Sequence, residues 1–172
     1  MDKQIQNIRI RTAAASDAEA ILAVYAPYIR NTAITFEYEL PRLEEFRERI
    51  TCTLKRHPYL VAERSSEILG YAYASPFIGR TATDRSAEVS IYLREDTRGL
   101  GLGRRLYQTL EDISRAQNIL NLNASIAVSE GEDPYVTRTR PRPRCVSSWD
   151  WVNCWKNGPT KSPSAIWHSV CR

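Results

Sequence analysis

The run Arg98-Gly99-Leu100-Gly101-Leu102-Gly103-Arg104-Arg105 places three glycines and three arginines in eight residues. Glycine lets the backbone turn sharply and approach a ligand closely. Ala87–Leu93, just before the run, reads as a strand with Val89, Ile91 and Leu93 on one face. Just after it, Leu102, Leu106, Leu110 and Ile113 recur at helical spacing. A glycine turn that opens a helix exposes N–H groups with no internal partner, at the positive end of the helix dipole. The chemistry this supports is anion binding, with phosphate the usual guest. The guanidinium groups of Arg98, Arg104 and Arg105 add full charges.

The spacing by itself also fits a tight turn that holds nothing. A dinucleotide fold would need parallel strand–helix–strand context, and a hairpin just upstream opposes it. A P-loop needs Gly-Lys-Ser/Thr, whereas Gly103 is followed by Arg104. Of the two histidines, His57 precedes Pro58 at a helix end and suits a structural role; His168 lies in an unpatterned tail.

The elements that would position this turn follow from periodicity. Ile8 and Ile10 alternate with Arg9 and Arg11 as a half-buried strand. Ser16-Asp17-Ala18-Glu19 has the form of a capping box and opens a helix with Ile21, Leu22, Tyr25, Tyr28 and Ile29 on one side. Pro27 is expected to kink or split that helix. Thr35–Glu39 forms an extended link, and Pro41 suits the first position of a second helix with Leu43, Phe46, Ile50 and Leu54 inward. Tyr59–Glu63 and Ile68–Ser75 make a hairpin around Arg64-Ser65-Ser66-Glu67. Leu120–Val128 is a further strand. The order β-α-α-β-β-β-α-β predicts an α/β (α+β) sandwich with a mostly antiparallel sheet.

At 172 residues the chain is long enough for one domain with a sizeable core. No apolar run reaches the length of a membrane span, and the first residues carry no signal-peptide core, so the expectation is a cytoplasmic protein with no membrane partner. Cys52, Cys145, Cys154 and Cys171 form no C-x-x-C pair, so the spacing suggests neither a zinc site nor a disulfide framework. The net charge of +4 conceals a break. Residues 137–172 hold five Arg and two Lys against Asp150, a net +6, while the first 136 residues hold 17 basic and 19 acidic groups, a net −2.

Arg-x-x-Gly-x-Gly, here Arg98, Gly101 and Gly103, between an antiparallel strand and a helix resembles motif A of the GCN5-related N-acetyltransferases (GNAT). Ile34-Thr35-Phe36-Glu37, His57–Glu63, Leu69–Phe77 and Glu88–Leu93 resemble the phosphinothricin / methionine sulfoximine acetyltransferase branch of that family. The likeness runs from about residue 8 to 138.

The resemblance implies a twisted sheet flanked by helices and direct acetyl transfer from acetyl-CoA to the primary amine of a small amino acid or analogue. It places the pyrophosphate at Arg98, Gly99, Gly101, Leu102, Gly103 and Arg104, and the pantetheine arm along the backbone of Ile91, Tyr92 and Leu93. Glu88 matches the family's candidate base, acting directly or through water. Arg80 matches a position that meets the acidic group of the substrate, for which a guanidinium fork is suited. Phe36, Glu37 and Tyr73 line the substrate pocket on this likeness, although Tyr73 also suits core packing. The family implies a homodimer and no metal.

From Thr139 onward the likeness ends. A GNAT core over residues 1–136 is therefore expected, followed by an atypical tail, 137–172, rich in Trp, Cys, Pro and basic residues. The abrupt change suggests translation in a shifted reading frame. A basic, aromatic tail could instead meet an acidic partner, but no nucleic-acid module surrounds it, so nucleic acid is not the expected partner. The alternative expectation for function is a CoA-binding or interaction protein that has lost catalysis with its C-terminal module.

Overall fold

The structure, a computed structural model, describes residues 7–32, 35, 37–77, 85–97 and 99–124. Phe36, Arg80, Arg98, the end of the strand expected over Leu120–Val128, and the tail from 137 lie outside the described residues.

Five strands form one sheet in the order β1 (Arg9–Thr12), β2 (Tyr59–Arg64), β3 (Glu67–Pro76), β4 (Ser86–Leu93) and β5 (Asn121–Asn123). The first three pairings are antiparallel and β4–β5 is parallel. Helices α1 (Ala18–Asn31) and α2 (Leu43–Leu54) pack with one another and with β3, and α3 (Leu102–Ala116) packs against β2, β3 and β4. This is the mixed architecture expected from the element order.

Strand alternation divides the core in two. On one face Leu60, Ala62, Ala72, Ala74, Ala87 and Val89 meet Leu102, Leu106 and Leu110 of α3. On the other, Tyr59, Val61 and Tyr71 meet Ile21, Val24 and Tyr25 of α1 and Phe46 and Ile50 of α2. The second face is aromatic. Tyr59 stacks on Tyr73 with centroids 5.0 Å apart, Tyr71 stacks on Tyr92 at 5.2 Å, and Tyr25 meets Tyr92 edge-on at 4.9 Å.

The hairpin turn lies where expected. Ser65 and Ser66 both have positive φ, 51° and 68°, the geometry that matches strand twist in a two-residue hairpin. Three local expectations are corrected. The carboxylate of Asp17 accepts from the Ala14 N–H at 2.8 Å, so the start of α1 is organised one turn earlier than Ser16 and Glu19 suggested. Arg11 holds that carboxylate at 2.7 Å and keeps the Asp17 pKa below its usual range, chiefly through that hydrogen bond. Pro27 does not split α1, which runs through it as one helix, Ala18–Asn31, without the N–H that Pro27 lacks. Helix α2 starts at Leu43 rather than Pro41, its first bond running from Phe46 N–H to Arg42 C=O at 2.9 Å.

One close approach in the sheet requires glycine. A Cβ on Gly70 would sit 2.5 Å from Leu93 Cδ2 and 2.8 Å from the Tyr92 carbonyl oxygen. A backbone atom cannot give way as a side-chain tip can. Gly70→Ala should therefore destabilise the fold by about 1–3 kcal/mol. Gly103→Ala, whose new Cβ would be 3.5 Å from Leu93 Cδ1, should be neutral or slightly stabilising, with denaturant titrations of the two variants as the check.

His57 supplies a pH dependence. Burial, and secondarily the charge of Arg56, lowers its pKa from 6.5. The folded state thus disfavours the proton that the unfolded chain accepts. The stability associated with neutral His57 is complete above pH 6.5 and is lost as the pH falls below it towards the lowered folded value. His57→Gln should flatten the stability profile from about pH 7 to 5 in thermal melts.

Candidate active site

The ladder between β3 and β4 sets the geometry of the site. Arg94 N–H donates to Leu69 C=O at 2.9 Å and Phe77 N–H donates to Ser86 C=O at 3.3 Å. With the register Gly70↔Leu93 through Pro76↔Ala87, the even-numbered residues Ser86, Glu88, Ser90 and Tyr92 spend their peptide groups on β3. The odd-numbered residues Ala87, Val89, Ile91 and Leu93 point theirs away from β3. Strand β5 pairs only with Ser86, Ala87 and Glu88. The pairing of Glu88 with Asn123 runs through the outward groups of Ala87 and Val89, so Ile91 is the first residue whose outward peptide groups no described residue of β5 reaches.

The three residues expected to offer backbone groups to a pantetheine arm differ in where those groups point. Ile91 faces outward. Tyr92 is committed to the ladder with Tyr71. Leu93 faces outward but is already engaged: the Tyr28 hydroxyl donates to its carbonyl at 2.5 Å and accepts from its N–H at 3.3 Å.

The glycine turn follows. Gly99 and Gly101 take φ values of 81° and 66°, left-handed conformations that favour glycine. A Cβ on either would meet nothing within 4 Å among the described residues. The first intrahelical bond of α3 runs from Arg105 N–H to Gly101 C=O at 3.2 Å. The amides of Leu102, Gly103 and Arg104 therefore precede the helix ladder and are available to an anion. Arg105 differs from the neighbouring Arg104 in having a structural task, donating to the Ile8 carbonyl at 3.0 Å. Arg98 lies outside the described residues.

The even-numbered side chains of β4 face α1 and α2, the same side as Tyr71 and Tyr73. Glu88 lies opposite Ser75 on β3 and beside Asn123 on β5. Ser90 lies opposite Tyr73. Burial raises the Tyr73 pKa; a hydrogen bond with the Ser90 side chain opposes the rise, and the charges of Glu88 and Glu37 add to it. The phenol is thus kept protonated.

Glu37, in the link between α1 and α2, is a deeply placed carboxylate. Arg49 on α2 donates to its Oε1 at 2.6 Å, and both side chains are 12% exposed. Arg49 also holds Glu45 at 2.6 Å. Burial works against the Arg49 charge, yet the two glutamates keep its pKa above the ordinary value. Glu37 Oε2 is buried with no hydrogen-bond partner among the described residues. The field of this carboxylate reaches Tyr25, Tyr73 and Tyr92, contributing to the raised pKa of all three phenols.

The structure brings Glu37, Tyr73 and Glu88 to one face and sets Ile91 and the glycine turn along the adjoining edge. Phe36 and Arg80 lie outside the described residues. His57, at the end of α2, donates its backbone N–H to Thr53 and stands apart from these groups in the contacts described. Sequence reasoning missed Tyr28 and Arg49. Tyr28 occupies an inward helical position and reads as core packing. Arg49 had one signal, a Glu45 partner four residues earlier on a helix face.

The acetyltransferase (GNAT) domain matches residues 10–134. The chain belongs to the GNAT acetyltransferase family. It is 40% identical over 102 residues to a phosphinothricin N-acetyltransferase of Alcaligenes faecalis, covering 59% of this chain and 52% of that protein. It is 38% identical over 123 residues to the L-methionine sulfoximine/L-methionine sulfone acetyltransferase of Pseudomonas aeruginosa strain PAO1, covering 68% and 69%. A GNAT phosphinothricin acetyltransferase from Sinorhizobium meliloti, solved in complex with AcCoA, superposes with a TM-score of 0.61 and 34% identity over 64% of this chain and 60% of that one. The chain therefore spans about half of the Alcaligenes protein. The family and the phosphinothricin / methionine sulfoximine likeness expected from the sequence are both borne out. Among the described residues of this GNAT chain, no helix is long and apolar enough to cross a membrane.

The turn offers a direct physical check. Gly101 adopts φ 66° and ψ 12° as the residue before α3. Gly101→Ala adds a Cβ that meets nothing within 4 Å among the described residues yet forces alanine into the left-handed region, at a cost of about 1–2 kcal/mol. Urea denaturation should show that loss without any change in buried packing.

Proposed function

We propose that this chain is an acetyl-CoA-dependent N-acetyltransferase acting on the primary amine of a small amino acid or analogue of the phosphinothricin or methionine sulfoximine type. The observation that carries the proposal is the outward edge of β4 at Ile91 leading into the glycine turn at the start of α3. That shape fits an extended amide-bearing arm ending in a diphosphate. Ile91 would pair with the arm, and the amides at Gly99, Gly101, Leu102, Gly103 and Arg104, with the Arg98 and Arg104 charges, would hold the diphosphate.

Bound acetyl-CoA supplies an acetyl thioester; transfer forms an N–C bond, breaks the C–S bond and leaves a free thiol. The chain's own residues handle the amine. It arrives as an ammonium group and must lose a proton before it can attack. Glu88, on the strand beside the open edge, takes that proton directly or through water. Glu37 and Tyr73 line the amine side, where the buried Glu37 carboxylate favours a cation. Phe36 completes that side, and Arg80 meets the acidic group of the substrate with its fork. The likeness to acetyltransferases named for phosphinothricin and methionine sulfoximine supports this substrate class.

The proposal takes residues 1–136 as the acetyltransferase core, in a cytoplasmic homodimer that uses no metal, and 137–172 as an atypical tail translated in a shifted frame. The GNAT match ending at residue 134 supports that boundary. Restoration of family-like sequence in another frame of the encoding DNA is the expected result.

Thiol release with acetyl-CoA and a panel including phosphinothricin and methionine sulfoximine tests the activity. CoA binding without turnover on any amine would favour the alternative, a CoA-binding protein that has lost catalysis. Glu88→Gln should lower kcat by about 10²- to 10⁴-fold while the Kd for CoA stays nearly unchanged. Glu37→Gln should raise KM for the amine more than KM for acetyl-CoA.

A further inference from the structure

The Tyr28 hydroxyl donates to the Leu93 carbonyl at 2.5 Å and accepts from the Leu93 N–H at 3.3 Å. One hydroxyl therefore supplies both the donor and the acceptor that a neighbouring amide would supply in a strand pairing. Leu93 is the last residue of β4, and its peptide groups point to the same outward edge as those of Ile91. The Leu93 side chain lies under the glycine turn, as the Gly103 geometry shows. The hydroxyl thus occupies the edge position between Ile91 and the anion-binding turn. An arm running from one to the other must pass it.

The ring that carries this hydroxyl is held by an aromatic contact rather than full burial. Tyr28 is partly buried and meets Tyr92 edge-on, with centroids 5.2 Å apart. It follows Pro27, whose missing N–H leaves the last turns of α1 one hydrogen bond short.

We propose that the Tyr28 hydroxyl is a stand-in for a ligand amide at Leu93, displaced when the pantetheine arm of CoA pairs with β4. Tyr28 is on this view a positioning residue that competes with the cofactor for the Leu93 peptide groups. The inference rests on the CoA reading of the site given above. Tyr28→Phe keeps the ring and its contact with Tyr92 and removes only the competing hydroxyl. The chain then has one more pair of unclaimed peptide groups to offer the arm.

Calorimetric titration of the full chain with CoA tests this, comparing wild type with Tyr28→Phe. The expected result is a Kd about three- to tenfold lower in the variant, the size of one or two net hydrogen bonds. An equal or weaker affinity in a folded variant overturns the proposal and leaves the CoA reading standing. No CoA binding by the wild type overturns both. Amide hydrogen exchange on the wild type covers the case in which the variant does not fold. CoA should alter the exchange rate of the Leu93 amide together with that of Ile91, as its bond passes from phenol to ligand. A change at Ile91 with none at Leu93 would show that the phenol keeps its place, and would overturn the proposal.

Discussion

The alternation of hydrogen bonds along β4 is the constraint on which the rest of the site depends. A strand can spend each residue's peptide groups on only one side. Because Glu88, Ser90 and Tyr92 bond to β3, Val89, Ile91 and Leu93 must face the other way. The same alternation sends the side chains of the first set to the aromatic face and those of the second set to the α3 face. A one-residue slip would exchange both assignments, burying Glu88 against Leu106 and turning Val89 towards Glu37. Gly70 helps hold this register by admitting Leu93 and the Tyr92 carbonyl at a separation no other residue allows.

The described pairing of β4 with β5 runs from Ser86 to Glu88, so Glu88 stands with its peptide groups on β3 and Asn123 of β5 beside it. Further along, α3 begins immediately after two left-handed glycines, and its free amides continue the line of donors begun by the strand. Strand edge and helix start thus form one surface of backbone groups, which depends on chain path more than on side-chain identity.

This dependence explains what was legible in the sequence. The order of elements, the hairpin at Ser65-Ser66 and the turn before α3 all leave marks in residue type, because backbone conformation limits which residues can serve. Glycine at 99 and 101 is such a mark. The commitment of Leu93 to Tyr28 leaves none, since a tyrosine at an inward helical position looks the same whether its hydroxyl meets a carbonyl or water. Ser16 and Glu19 carried the pattern of a helix cap, yet Asp17 took that role because Arg11 sits on the neighbouring strand to hold it. A contact made across the fold overrode a local signal. Arg49 was similarly hidden, for its partner Glu37 is 12 residues away in an irregular link.

The Glu37–Arg49–Glu45 cluster is a poor choice if stability were its only purpose. Two glutamates share one arginine, so the group keeps a net negative charge, and two of its three members are largely withdrawn from water. Such burial costs desolvation that the ion pair returns only in part. One buried Glu37 oxygen has no hydrogen bond of ordinary geometry among the described residues, which adds to that cost. The surrounding phenols supply no counter-charge: burial raises their pKa and keeps them neutral, and a phenol ionises only to an anion. The residual charge is thus fixed in place and directed at a face lined by tyrosine rings, whose electron-rich surfaces also favour a cation. On the proposed function, an ammonium group would supply the missing partner. Arg49 holds one oxygen of that carboxylate in place. On the same reading, binding of the cation and removal of its proton would fall to different carboxylates, Glu37 and Glu88.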